Sequence, residues 1–325
     1  SVWMMFLIGG ILIYLGVKKD YEPMLLFPMG VGCILANIPG HFAVIPTGGG
    51  EPGFLSVLYE AGIANELFPV LIFIAVGAMC EFDPLIRAPY VMLFAAAAHF
   101  GIFAAAFLAP LTVTAFCYMS LVPIIQPPIV KLLTTKKERL IRMPFKAEKP
   151  VSWTARFLFP LMVVLIAGIL APISVPLIGA LMFGNLLKVS GVTDSLSNAA
   201  QNELSNLVTL LLGITVGATM TAENILTMDV LKILVLGALA FVFDTVGGVL
   251  FAKLANLFLT KKINPMIGAC GISAFPMSGR VVNKLGLEED NQNFLLMYSI
   301  SVNVSGQIAS VIAGGLILTL MNGYV

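Results

Sequence analysis

"KINPMIGACGISAFPMSGR", residues 262–280, is apolar enough to lie inside a membrane, yet it is built from residues that helices reject. Pro265 and Pro276 remove backbone donors, and Gly268, Gly271 and Gly279 lower helix stability between and beside them. Unpaired backbone at membrane depth survives only where protein or a water-filled cavity surrounds it. Lys261 and Lys262 precede the stretch, and Arg280 and Lys284 close it. With both ends on one side of the membrane, it enters and returns as a re-entrant hairpin. Its freed carbonyls, with the Asn264 and Ser273 side-chain oxygens, are hard neutral ligands suited to a small hard cation. The stretch taken alone reads equally well as a packing device of small residues.

The composition around it sets the class. The chain has 325 residues, 59% hydrophobic and 11% charged, against about 25% charged in a water-soluble domain. This is the composition of an all-α polytopic membrane protein embedded in lipid. A net charge of +1 gives no basis for nucleic-acid binding. Cys33, Cys80, Cys117 and Cys270 are scattered singly in or beside apolar runs, which points to buried free thiols. No cleavable signal peptide is evident. The first apolar run, 2–17, is short for a span of about 20 residues, so the natural N-terminus is expected further upstream.

Apolar runs at 2–17, 24–38, 67–79, 90–109, 110–130, 157–170, 175–187, 204–220, 230–259 and 294–320 are candidate spans. Threaded alternately, they put every one of the 18 Lys and Arg residues except Lys232 on one side. By the positive-inside rule that side is cytoplasmic. It includes the basic loop 131–149, a topology determinant that can also serve as a docking surface for a soluble partner.

The two halves echo each other. "FPVLIFIAVGAMCEFDPLI" (68–86) resembles "LVTLLLGITVGATMTAENIL" (207–226), and "PMLLFPMGVGCILAN" (23–37) resembles "PLIGALMFGNLLK" (176–188). The connection before Pro23, "KKDYE", carries two lysines, whereas its counterpart, 171–175, has no charge. Lysines on only one of two equivalent loops are what two inverted-topology repeats with broken helices give. The expected organisation is a first repeat over 1–130, a basic cytoplasmic loop over 131–154, and an inverted second repeat over 155–325 that holds the 262–280 hairpin. In the first half, 90–130 runs on without a loop. As one helix it would be roughly 60 Å long, against a hydrocarbon core of about 30 Å. A segment is therefore expected to be missing near 109–110, where the counterpart of the 262–280 stretch belongs.

Other polar residues sit where lipid would reject them. The last span carries Ser299, Ser301, Asn303, Ser305, Gln307 and Ser310. A serine can satisfy its own i−4 carbonyl, but Asn303 and Gln307, one turn apart on one face, point to a cavity lining. Asp244 is an intramembrane carboxylate and a functional candidate, with a salt bridge or helix cap as the alternative. Tyr118 is either an interface anchor or a buried hydroxyl able to pass a proton. His99 reads as a helix-contact residue, and Glu288, Glu289 and Asp290 read as a solvated turn.

With these residues in view, the chain resembles the β subunit of the sodium-translocating biotin-dependent decarboxylases that act on oxaloacetate, methylmalonyl-CoA or glutaconyl-CoA. The matching stretches include "KKDYEPMLLFP", "YMSLVPIIQPPIVKLLTTKKERLIRM", "LMFGNLLKVSGV", the 262–280 stretch with its continuation, and "NVSGQIASVIAGG". The resemblance implies a primary sodium pump in the cytoplasmic membrane of a bacterium. It would decarboxylate carboxybiotin delivered by a partner subunit and export Na+, with no cofactor covalently bound to this chain. It further implies a carboxyltransferase/biotin-carrier subunit, a small single-span membrane subunit and a homo-oligomeric arrangement. The family's functional positions fall on Asn264, Gly268, Ser273, Arg280, Tyr118 and Asn303. The implied roles are catalysis for Tyr118, Ser273 and Arg280, carboxybiotin binding for Arg280 and Asn264, and Na+ binding for Asn264, Gly268, Ser273 and Asn303. The family's first-half aspartate has no counterpart here; it would belong at the 109–110 junction, and if the break is real in the molecule the resemblance implies an inactive pump. The rival class is an ion-coupled secondary transporter built on the same inverted repeats, without biotin chemistry; a passive membrane scaffold for a soluble enzyme is a third.

Overall fold

The computed structural model describes residues 2–19, 22–39, 43–44, 52–87, 89–99, 122–143, 150–225, 228–272, 274 and 277–322. All regular structure among them is helical. In chain order the first helices are α1 (Val2–Lys19), α2 (Pro23–Ala36), α3 (Phe54–Gly62), α4 (Leu67–Met79), α5 (Asp83–Arg87) and α6 (Met92–Ala98). Next come α7 (Val122–Leu133), α8 (Lys136–Arg139), α9 (Trp153–Leu170), α10 (Val175–Val189), α11 (Asp194–Ala199) and α12 (Ser205–Thr219). The last are α13 (Ala222–Ile225), α14 (Met228–Phe258), α15 (Met277–Glu289) and α16 (Leu296–Asn322). A 3-10 helical turn, Pro265–Gly271, stands between α14 and α15.

Of the ten apolar runs, 67–79 is helix α4 as read. Five helices of the described residues are long and apolar enough to cross a membrane, or six if α3 and α4, bent by 63° at a short break, form one span. The deficit has two causes. Runs 24–38 and 204–220 give helices α2 and α12, of 14 and 15 residues, too short to count alone. Runs 90–109 and 110–130 meet in residues 100–121, which lie outside the described residues, as does the expected break at 109–110.

The chain gathers into two compact units, each drawing on both halves of the sequence. One comprises residues 1–79 and 179–234, the other 80–178 and 235–325. Helices α10 and α14 contribute to both.

In the first unit, glycines let helix backbones touch. A side chain on Gly217 of α12 would run into the Met29 carbonyl of α2, and one on Gly32 would run into the Ile214 carbonyl of α12. The α4–α10 crossing repeats the arrangement, with Gly77 against the Leu181 carbonyl and Gly184 against that of Ile74. The spacing 29 to 32 recurs as 181 to 184, and 74 to 77 recurs as 214 to 217. In an apolar medium, close backbone packing of this kind replaces the hydrophobic drive that holds soluble helices together. Asn37 ties off one end: its Nδ2 donates to Cys33 O and Met220 O, both at 2.8 Å, and its Oδ1 accepts from Ala222 N. Cys33 in this unit, and Cys80 and Cys270 in the other, are buried and form no disulfide; Cys117 lies outside the described residues.

In the second unit the core is polar where α16 passes through it. Ser299, Ser301, Asn303, Ser305 and Gln307 are all buried. Ser301 and Ser305 donate to their own i−4 carbonyls at 2.7 and 2.6 Å, as isolated serines in apolar helices do. The Arg156 guanidinium of α9 pairs with the Asp83 carboxylate of α5.

The crossings generate a prediction. Gly217→Val should lower thermal stability by about 1–3 kcal/mol or more through overpacking against fixed backbone. Gly10→Ala, in open space on α1, should be neutral or stabilise by up to about 1 kcal/mol. Thermal unfolding in detergent measures both, and equal shifts would contradict the packing account.

Candidate functional site

The decisive stretch is not one helix. Its first part winds as the 3-10 turn Pro265–Gly271, Ile272 is extended, and regular α-helix resumes only at Met277. Asn264 starts the turn, its Oδ1 accepting from Met266 N at 3.1 Å while Pro265 occupies the first position, where a missing N–H costs nothing. All seven residues of the turn are buried.

Four elements enclose it closely. Gly268 and Gly248 of α14 are in mutual backbone contact, so that a side chain on either would meet the other's carbonyl. Gly271 lies against the Phe94 carbonyl and Ala98 of α6. Gly306 of α16 faces the Gly271 and Ile272 carbonyl oxygens. From α7, fully buried Gln126 donates from Nε2 to Ala269 O at 2.7 Å and to Ser278 Oγ at 2.8 Å.

The last carbonyls of a helical turn have no partner within it. Here Ala269 O is taken by Gln126 and Ile272 O by Asn303 Nδ2, at 2.7 Å. That leaves Asn303 Oδ1 buried, with no hydrogen-bond partner among the described residues. A fully buried amide oxygen without a donor costs about 1–3 kcal/mol. It stands on the face of α16 that meets the Gly271 and Ile272 carbonyls. One turn earlier, Ser299 Oγ has at most the weak Cys270 thiol beside it. An oxygen-rich, donor-poor spot of this kind suits a hard monovalent cation stripped of water. Among the described residues no cluster of three His, Cys, Asp or Glu side chains could hold a transition metal.

Outside the turn lies a polar strap. Asn264 Nδ2 donates to Arg139 O and Ile141 O, at 2.8 and 3.0 Å, so both amide protons are spent on the 136–143 segment. Asn293 Nδ2 also donates to Arg139 O, at 2.8 Å. The Arg139 side chain donates from Nε to Glu289 at 2.6 Å and from Nη1 to Thr134 O at 2.5 Å. Lys131 pairs with Glu288, Arg142 with Asp290 and Lys253 with Glu138. Glu289 and Asp290 are thus not the solvated turn expected of them: they close the strap, and Arg139 and Glu289 retain only 14% and 16% side-chain exposure, whereas Glu288 is exposed as read. Arg142, with help from the Gln292 N–H, holds the Asp290 carboxyl below its ordinary 3.8. Burial pushes Glu138 up, but the Thr135 and Lys253 hydrogen bonds together outweigh it and bring its carboxyl below 4.5. Both shifts are depressions, so their contribution is complete above the ordinary values and is lost as pH falls through the lowered ones. The strap is closed at neutral pH.

Of the residues singled out in the sequence, Asn264, Gly268 and Asn303 converge on this turn. Arg280, in the first turn of α15, is exposed and makes no hydrogen bond or ion pair among the described residues. Asp244 is buried in α14 one turn before Gly248, and Gln307 is buried one turn after Asn303. His99 is buried, its Nδ1 2.5 Å from Ala95 O. Tyr118 and Ser273 lie outside the described residues. Gln126, Ser278 and Arg139 were not foreseen. The available signals were a glutamine just before two prolines in an apolar run, and acidic 288–290 matching basic 131–142 in charge.

The strap carries a prediction. Arg139→Glu should speed tryptic cleavage after the exposed Lys136 and Lys137, and adding Glu289→Arg should partly slow it again. The restoration is partial because the Thr134 carbonyl stays unpaired. Equal cleavage in all three proteins would show that the ion pair holds nothing.

Comparison with known proteins gives consistent relatives. The family profile of the Na+-transporting oxaloacetate decarboxylase beta subunit matches residues 1–110 and 104–321. The chain is 40% identical over 357 aligned positions to the methylmalonyl-CoA decarboxylase subunit beta of Veillonella parvula, covering 98% of this chain and 93% of that protein. It is 38% identical over 407 positions to the oxaloacetate decarboxylase beta chain of Klebsiella pneumoniae, covering 97% and 94%. It is 40% identical over 356 positions to the glutaconyl-CoA decarboxylase subunit beta of Acidaminococcus fermentans, covering 98% and 93%. All three alignments are longer than the 325 residues present, and the two profile matches meet at 104–110.

Proposed function

The chain belongs to the family of membrane β subunits of Na+-transporting biotin-dependent decarboxylases, and from that premise we propose how its own residues divide the work. As part of a multi-subunit decarboxylase, this membrane subunit decarboxylates carboxybiotin and couples the step to Na+ export. The buried Asn303 oxygen without a donor carries the reading. With the Gly271 and Ile272 carbonyls beside it, it forms the protein's half of a site for dehydrated Na+.

Arg280 meets the carboxylate of carboxybiotin arriving from the cytoplasmic side. It suits that role as a permanently charged side chain, exposed and uncommitted to any described partner. Loss of CO2 leaves a biotin nitrogen that takes up a proton, relayed through Ser273 and Tyr118. Asn264 binds the approaching carboxybiotin or the ion once it leaves the strap. Moving one charge against 100 mV takes about 2.3 kcal/mol and a tenfold gradient adds about 1.4 kcal/mol. Each ion thus stores close to 4 kcal/mol, so one decarboxylation drives only a few.

The fold of this reading is two inverted repeats whose hairpins dip in from opposite faces. The matched glycine crossings at 29–32 with 214–217 and 181–184 with 74–77 support it. The first hairpin, with the family's aspartate, belongs at the junction where the profile matches meet. The partners are a carboxyltransferase/biotin-carrier subunit and a small single-span subunit, arranged homo-oligomerically in a bacterial cytoplasmic membrane.

Sodium-22 uptake into vesicles holding the full complex tests the proposal. Uptake should start with the substrate acid or CoA thioester, stop with avidin, and rise about tenfold or more when the relatives' extra residues at 104–110 are restored. Arg280→Ala should depress carboxybiotin turnover at all sodium concentrations, whereas Asn303→Ala should chiefly raise the sodium requirement. Avidin-insensitive uptake would instead identify a secondary transporter.

A further inference from the structure

Gln126 is absent from every role assigned above, yet it is the side chain most completely committed to the turn. It is fully buried in α7, and Pro127 and Pro128 follow it directly. Its Nε2 donates to Ala269 O and to Ser278 Oγ, and its Oε1 accepts from Ser278 Oγ at 3.1 Å. Ser278 Oγ is also 3.2 Å from Ala269 O. Serine has one proton, so it serves either Gln126 Oε1 or Ala269 O at a given moment, while the amide donor can serve Ala269 O throughout.

The two residues it joins flank the break. Ala269 is near the end of the 3-10 turn and Ser278 is the second residue of α15, with non-helical Ile272 and Ala274 between them. No regular ladder spans that gap, so a side chain from a third element bridges it. The proline pair after Gln126 fixes its own φ angles there. A buried glutamine costs free energy unless every polar atom is paired. Here every one is, and a leucine or methionine would fill the volume without that requirement.

We infer that Gln126 is a positioning residue for the cation site: by pinning Ala269 O and Ser278, it holds the Gly271 and Ile272 carbonyls in register with Asn303. The inference rests on the proposed reading of Asn303 and the turn as an ion site. It acts on Na+ through the backbone it fixes, its own oxygen lying against Ser278 Oγ.

The test is sodium-dependent thermal stabilisation of the full chain in detergent, with KCl keeping ionic strength constant. The wild type should gain stability as NaCl replaces KCl. Gln126→Met, similar in volume but without donors, should remain helical and monodisperse and need about tenfold more sodium for half the effect. Gln126→Glu keeps an acceptor for Ser278, and only its protonated form can donate to Ala269 O. Its sodium response should therefore recover as pH is lowered, which a packing role alone would not produce. If Gln126→Met yields no folded protein, the pH profile of Gln126→Glu decides. A wild-type sodium midpoint in Gln126→Met, or a pH-independent defect in Gln126→Glu, overturns the inference while leaving the ion site standing. A folded wild type indifferent to sodium overturns both.

Discussion

A peptide carbonyl buried without a donor is the constraint from which the second unit is built. The 262–280 stretch cannot continue as a helix, because Pro265 and Pro276 withhold donors and its glycines weaken what remains. It is nonetheless packed inside the protein, where water cannot pair its backbone. Its carbonyls must be met by side chains from elsewhere. Gln126 meets Ala269 O, and Asn303 meets Ile272 O. On the outer side Asn264 is itself held by the Arg139 and Ile141 carbonyls. Three carboxamides thus replace part of the missing ladder. Each offers donors and an acceptor in fixed geometry, which hydroxyls and charged groups in an apolar interior do not.

That pattern leaves one oxygen over. An amide that donates to a carbonyl still has its own oxygen to be met, and the Asn303 oxygen ends where no described donor reaches. Ser301 and Ser305 show the contrast: they spend their hydroxyl protons on carbonyls of their own helix, so no buried polar atom is left over there. The same helix therefore holds both structural polar residues and a candidate ligand, separated by where the hydrogen bonds go. The strap adds a second layer. With Asn264 bound to it and Arg139 locked to Glu289, the turn is braced from the side on which carboxybiotin is expected.

Much of this could be read in the sequence. The bounds of α4, the polar face of the last span and the failure of 262–280 to form one helix follow from local periodicity and from proline and glycine chemistry. What escaped is long-range. Gln126 and Ser278, or Arg139 and Glu289, are far apart in the chain, and no periodicity in either segment announces its partner. Glu289 and Asp290 looked like solvent-facing turn residues because a run of acids usually is one; the strap that pairs with them comes from the other half of the chain. The glycine crossings were half legible: the repeated Val-Gly-Ala marked Gly77 and Gly217, but only the fold reveals that each rests on a carbonyl of the opposite half.

Equilibrium binding of sodium-22 to the purified chain, compared between wild type and Asn303→Leu, probes the central claim most directly. Saturable binding in the wild type that disappears in the folded variant is the expected result. Undiminished binding in Asn303→Leu would mean that the ion resides elsewhere and that the unpaired oxygen in α16 is an accident of packing.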